Sequence, residues 1–291
     1  MKHQKKLYYI FMIVLQGILY GIHDPLAKIV YHEIPVYAFL CIRYLLGGIC
    51  FLCIFRKSLF EDLKNSALKD LIVSAVCLSL AYLFVNLALG KTDATLVVFV
   101  RSLSALFTPM LSLFLLRKKP CKKDYALGIL LLIGLWFLFY SNGSYKINAG
   151  ILLALAGTLL VAGSLVFGAK ALDHTTPAAL SFVQTILSAV ICGICALYYG
   201  EFQFSVIADL TKPFYFIVLL YAALAVGCLG FLLQNTALAH LSSPLVGVLQ
   251  CTYPLTTVVV APFLLGEILE PSRLFGAFLV LLCILLNAKY S

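Results

Sequence analysis

Charged side chains are scarce. Asp, Glu, Lys and Arg make up 11% of the 291 residues, against 63% for the hydrophobic set. A soluble domain carries about a quarter charged residues. A water-soluble fold of this length could not hide so much apolar surface, which leaves lipid as the solvent. Acids are the rarer sign, 12 against 21 Lys and Arg, for a formal charge of +9. The excess cations sit in short links between apolar runs, where membrane-orientation signals sit, so no nucleic-acid partner is expected. There is no glycine-rich nucleotide loop, no HExxH and no GxSxG in the chain. No cofactor, metal site or catalytic residue is therefore expected, and an intramembrane enzyme would lack its reactive constellation. Of the ten cysteines, all but Cys121 lie inside apolar runs. The pairs Cys50/Cys53 and Cys192/Cys195 share helix faces but have no His or acid beside them, so they read as packing groups. The basic start, Met1 to Lys6, leads into an apolar run with no clean small-residue cleavage site, and reads as a retained first span.

What the chain does have is long apolar runs. About 20 apolar residues cross a bilayer core. On that ruler the spans fall at 8–30, 35–55, 68–90, 94–117, 123–141, 148–170, 176–199, 214–239, 243–264 and 272–289. Runs of this length must be helices, because lipid offers open backbone groups no partner. Ten spans place both termini on one side. Lys2, Lys5, Lys6, Arg56, Lys57, Lys64, Lys69, the cations of the 117–123 stretch, Lys170 and Lys289 share that side. Only Lys28, Lys91, Lys146, Lys212 and Arg273 fall on the other. The bias puts both termini in the cytoplasm, in the cytoplasmic membrane.

The runs also repeat. Asn86 falls on Asn235 with a shift of 149, and the same shift takes Ala88 to Ala237, Leu89 to Leu238, Leu96 to Leu245, Leu106 to Leu255 and Phe114 to Phe263. Upstream, a shift of 142 takes Gly21 to Gly163, Ala27-Lys28 to Ala169-Lys170 and Pro35 to Pro177. The difference fits extra length in the polar link Gly200–Lys212. Matches in order at two constant shifts argue for duplication, with halves at 1–143 and 144–291. Five spans per half would flip the second copy relative to the first. The expected fold is therefore an all-α integral membrane protein of ten transmembrane helices in two inverted five-helix repeats, an arrangement that recurs in secondary transporters.

Three pieces of sequence resemble the EamA family of the drug/metabolite transporter superfamily. They are Leu19-Tyr20-Gly21 with Ala27-Lys28, Pro35 and Arg43-Tyr44; the paired Ala88-Leu89 and Ala237-Leu238; and Leu264-Leu265-Gly266-Glu267 with Gly276. The resemblance covers nearly the whole chain and implies a transporter of a small organic molecule, with amino acids, other metabolites and drugs among the family's substrates. The first repeat departs from the pattern, with Leu116-Arg117-Lys118-Lys119 where the second has Leu265-Gly266-Glu267.

Charges within spans mark the candidate site, since burying them is costly. At about 1.5 Å rise per residue, Asp24, Arg43 and Arg101 all lie roughly 9–12 Å from the outer ends of their spans. Two cations and one anion in one layer leave a surplus positive charge that suits a carboxylate or phosphate. The other reading is a structural clamp between Asp24 and one arginine, with the second snorkelling to headgroups. The repeat does not copy the charges: Asp24 maps to Val166, Arg43 to Thr185 and Arg101 to Gln250. Pro25 cannot donate to the Gly21 carbonyl, and a carboxylate beside such a break can take up a proton, so Asp24 is also a proton-coupling candidate beside a simple kink. Tyr20, Tyr82, Asn86, Gln234, Asn235, Gln250 and Tyr253 complete the candidate pathway, the alternative being interhelical hydrogen bonding. His23 is expected to face a neighbouring helix. The expected function is alternating-access transport of a small metabolite, possessing a carboxylate or being an amino acid. Alternatives are export of drugs on the same fold, a non-transporting receptor, or an intramembrane enzyme. The expected partners are a small-molecule substrate and the bilayer, with monomer and homodimer both open.

Overall fold

The computed structural model describes residues 2–64, 68–116, 129–130, 133–134, 136–137, 140–141, 144–145, 148–250, 252–266 and 271–290. Apart from a two-residue antiparallel pairing of Tyr140–Ser141 with Ser144–Tyr145, every regular element among them is a helix. Eight helical segments are long and apolar enough to cross a bilayer: Lys6–Val30, Val36–Arg56, Leu68–Leu89, Ala94–Phe114, Ala149–Ala171, Pro177–Tyr198, Pro213–Leu238 and Ser243–Leu265. Each coincides with an expected span. The expected span 123–141 lies mostly outside the described residues. The expected span 272–289 is the helix Pro271–Tyr290, whose qualifying apolar stretch, Leu274–Cys283, is shorter than the bilayer ruler.

In chain order the helices are α1 (Lys2–Val30), α2 (Val36–Lys64), α3 (Leu68–Leu89), α4 (Ala94–Arg101), α5 (Ser104–Leu116), α6 (Ala149–Ala171), α7 (Pro177–Tyr198), α8 (Phe204–Leu210) and α9 (Pro213–Leu220). A π-helical stretch, Tyr221–Gly230, continues α9 into α10 (Phe231–Leu238). Then come α11 (Ser243–Leu249), α12 (Thr252–Leu265) and α13 (Pro271–Tyr290). Caps fit their sequences: the Asn148 side chain accepts from the Ile151 amide, and Thr176 accepts from Ala179 ahead of Pro177.

Two spans are broken at matching places. The span 94–114 turns at Ser102–Leu103, and the span 243–265 turns at Gln250. Arg101 and Gln250, equivalent under the 149-residue shift, stand at the two turns. Both tighten into three-residue hydrogen bonds, Leu103 N to Val100 O in one and Tyr253 N to Gln250 O in the other. In the second, Pro254 has no N–H to return to the Gln250 carbonyl, which accounts for the break. In the first, Pro109 lies further along and the 3₁₀-type bonds carry the turn.

The main packing runs between the halves of the chain: α3 lies on α6, α2 on α7 and α1 on α12. The α1–α12 approach is close because Gly17 and Gly21, four residues apart, face Thr252 and Thr256. The extra link after α7 also ties the halves together. Glu201 accepts the Ala38 amide at 2.9 Å at the start of α2, and Tyr37 stacks on Tyr199 at 5.1 Å. Burial pushes the Glu201 carboxyl up from its ordinary value, against the pull of the Ala38 and Tyr37 amides. Val206 and Leu210 of α8 pack with Val30, Ile34 and Phe39. Cys50 meets Cys228 across the repeats, with sulfurs 3.6 Å apart, in an apolar surround.

Candidate substrate site

Pro25 in α1 sets the local geometry. Its missing N–H leaves the Gly21 carbonyl open, and Thr257 of α12 donates to it at 3.1 Å. Opening of the helix is thus repaired from the other repeat. Replacing Thr257 with valine keeps the shape and strands a buried carbonyl. We expect a loss of about 1 kcal/mol in unfolding free energy by denaturant titration in detergent, with Thr257→Ser retaining the wild-type value.

One residue before the proline, Asp24 is buried, 4% exposed, and gathers partners from three helices. One carboxylate oxygen takes Tyr253 OH and lies 3.8 Å from Arg101 Nη1; the other lies 3.0 Å from His23 Nδ1. Arg101 Nη1 also donates to Tyr253 OH at 2.7 Å, and its guanidinium lies over the Tyr253 and Tyr82 rings at 4.5 and 5.2 Å. On the far side, Arg43 Nη1 lies 2.7 Å from His23 Nε2, and Nη2 donates to Tyr44 OH at 3.0 Å. A guanidinium can only donate, so Nε2 accepts and the imidazole proton is on Nδ1, facing Asp24. His23 is therefore neutral and relays between Arg43 and Asp24. It faces the charged layer rather than merely a neighbouring helix, and this role was missed from sequence. The arginine and the aspartate are linked through a ring whose orientation no spacing rule gives. Arg43 is 1% exposed, and its Nε has no hydrogen-bond partner among the described residues.

Beside this layer is a small cavity of about 20 Å³, lined by Gln16, Gly17, Tyr20, Arg101, Ser102, Ser104, Val161, Gln250, Tyr253 and Pro254. That is room for roughly one water molecule. Tyr20 packs edge-on against Tyr82 and Tyr253, and its hydroxyl donates to Val226 O in the π-helical stretch. Gly230 faces the Tyr20 ring; a Cβ there would sit 2.5 Å from Tyr20 Cε1. Next to Tyr20, three glutamines meet. Gln16 and Gln250 each donate to Gln234 Oε1 at 2.8 Å.

Of the candidate residues, the structure brings Arg101, Tyr20, Gln250 and Tyr253 to the cavity wall. Asp24, Tyr82 and Gln234 stand directly behind it, and Arg43 is one relay further back. Asn86 and Asn235 are not brought to it. Asn86 takes Tyr31 OH at 2.6 Å and donates to Tyr82 O. Asn235 donates to Ser181 and Gln184, both at 2.8 Å, in a polar seam that Gln184 extends to Ser74. A second cavity, about 250 Å³, opens at the end of α1 between Lys28, Tyr31, His32 and the 89–93 turn. There Lys28 lies 4.0 Å from Asp93.

Repeated apolar helices, two of them broken beside a buried polar cavity between the halves, define a membrane transporter. The chain belongs to the EamA-like transporter family, whose model matches residues 7–140 and again 148–288. Family membership makes it a transporter rather than an enzyme. It is similar to an uncharacterized transporter, YwfM, of Bacillus subtilis (strain 168), at 25% identity over 95% of this chain and 92% of the relative. An uncharacterized transporter of Archaeoglobus fulgidus is 24% identical over 97% and 86% of the two chains. A probable amino-acid metabolite efflux pump of Salmonella typhimurium is 26% identical over 95% and 93%. A crystal structure shares the fold with a TM-score of 0.71, 13% identity and 99% of both chains covered.

Proposed function

We propose that this transporter carries a small organic metabolite bearing a carboxylate across the cytoplasmic membrane by alternating access. Its ten spans form two inverted five-helix halves, 1–143 and 144–291, with both termini cytoplasmic. One observation carries the substrate reading: Arg101 lines the cavity, and among the described residues Asp24 is the one carboxylate that it and Arg43 share, directly for Arg101 and through His23 for Arg43. A monoanion entering beside Arg101 neutralises the surplus charge. The relative named as an amino-acid metabolite efflux pump supports an organic acid or amino acid as cargo. The lopsided distribution of Lys and Arg among the links supports the orientation. Matched breaks at Arg101 and Gln250 support a site between halves that move. Asp24 serves as the proton-coupling residue in this reading: it is a buried carboxylate beside the Pro25 break and in reach of Arg101 at the cavity wall.

The test is counterflow in proteoliposomes preloaded with a mixed metabolite pool, following labelled amino acids and organic acids singly. Saturable exchange in the wild type that falls at least tenfold in Arg101→Gln is expected. Equal exchange in both would sink the arginine-centred site while leaving the transporter intact.

A further inference from the structure

The three glutamines form a layer of their own. Gln16 lies four residues before Tyr20 on α1, Gln234 four after Gly230 on α10, and Gln250 three before Tyr253, across the α11–α12 break. Gln16 is thus about one helical turn, ~5 Å, from Tyr20, and Gln234 the same from Gly230, which faces the Tyr20 ring. With Gln250 from the break, the amides meet on one oxygen, Gln234 Oε1. Gln16 and Gln234 are 1% and 2% exposed. Arg101, Gln16 and Gln250 line the same cavity as Tyr20 and Tyr253.

We infer that this amide layer selects the far end of the substrate: the cargo is a short monocarboxylate whose other end is a neutral hydrogen-bonding group, a carboxamide or hydroxyl. The inference rests on the carboxylate reading of Arg101. Its physical basis is exchange. The cavity as it stands holds about 20 Å³, so a ligand must part the glutamines from one another. A carboxamide or hydroxyl returns the hydrogen bonds it breaks, since it both donates and accepts. A methyl end leaves buried amides unsatisfied, and sites built on hydrogen bonds reject such analogues strongly. A second carboxylate or an ammonium at that end meets only neutral amides, with no opposite charge to offset its desolvation. The one carboxylate nearby among the described residues, Asp24, sits two helical turns from Gln16 along α1 and is held by His23, Tyr253 and Arg101.

Five acids of one length separate the effects: glutaric acid monoamide, 5-hydroxypentanoate, pentanoate, glutarate and 5-aminopentanoate. Calorimetric binding of each to the purified full-length protein is expected to favour the monoamide and the hydroxy acid about tenfold or more over the other three. Gln250→Leu is expected to erase that preference by weakening the first two to the level of pentanoate. Gln250→Glu is expected to shift preference toward 5-aminopentanoate. The ranking in the wild type tests the inference even where a variant fails to fold. Equal binding of pentanoate, the monoamide and the hydroxy acid would overturn the role of the amide layer and leave the Arg101 site standing. Binding of none of the five would overturn both.

Discussion

Replacing Asp24 with leucine is expected to cost the folded protein about 3–5 kcal/mol, the range for leaving buried charges without their partner. The reason lies in what the carboxylate holds. It sits 3.8 Å from Arg101 directly and reaches Arg43 through His23, whose ring nitrogens lie 3.0 Å from Asp24 and 2.7 Å from Arg43. Leucine leaves two guanidinium groups with hydroxyls and rings but no anion. The His23 Nδ1 proton also loses its acceptor, so the ring is free to turn and Arg43 loses its bond as well. Asp24→Asn keeps an acceptor for His23 and fills the same space, and should cost less than half as much. Adding Arg101→Leu to Asp24→Leu should recover part of the loss, because it removes one of the stranded charges. Thermal midpoints of the three proteins in one detergent check the order. A double variant no more stable than Asp24→Leu would show that Asp24 and Arg101 are not energetically coupled.

Gly21→Val should be nearly as damaging and by a different route. A Cβ at Gly21 would sit 2.8 Å from the Tyr253 carbonyl oxygen and 2.5 Å from Thr256 Cβ. Thr256 Cβ is fixed to the α12 backbone as the carbonyl is, so both move only if α12 moves. Overpacking of this kind costs about 1–3 kcal/mol. Here the displaced backbone also carries Tyr253, which holds both Arg101 and Asp24, so exchange activity should fall further than stability does. Gly90→Ala is the control. Its Cβ would meet nothing nearer than Leu87 O at 3.7 Å, and both stability and counterflow should match wild type. Full activity in Gly21→Val would mean that the α1–α12 seam tolerates a wider separation than its packing indicates.

Much of this was legible from sequence because membrane proteins write their plan in rare residues. Apolar length places eight spans, and the only charges deep within them, Asp24, Arg43 and Arg101, do share one layer. The duplication pairs Arg101 with Gln250, and the structure sets those two at matching helix breaks. Other features depend on rotation about a helix axis, which one-dimensional spacing does not fix. His23 and Asp24 are neighbours in sequence, yet the relay to Arg43 requires one particular ring orientation. The glutamines come from α1, α10 and the break between α11 and α12, and meet only in three dimensions. Asn86 and Asn235 are equivalent under the repeat but satisfy unrelated partners, so matching positions did not mean matching roles. The π-helical stretch Tyr221–Gly230 has the composition of any apolar span, and nothing in it announces the wider turn. Nothing in sequence marks Thr257 as the donor to the Gly21 carbonyl that Pro25 leaves open.

The pairing of α3 with α6, α2 with α7 and α1 with α12 has a consequence for cutting the chain. Each of these helices spends its largest face on the other half. A fragment ending near residue 143 would carry three helices stripped of their main contacts, and the remaining fragment would carry their complements. Neither half is a body in its own right; made separately, they should become stable only by finding each other.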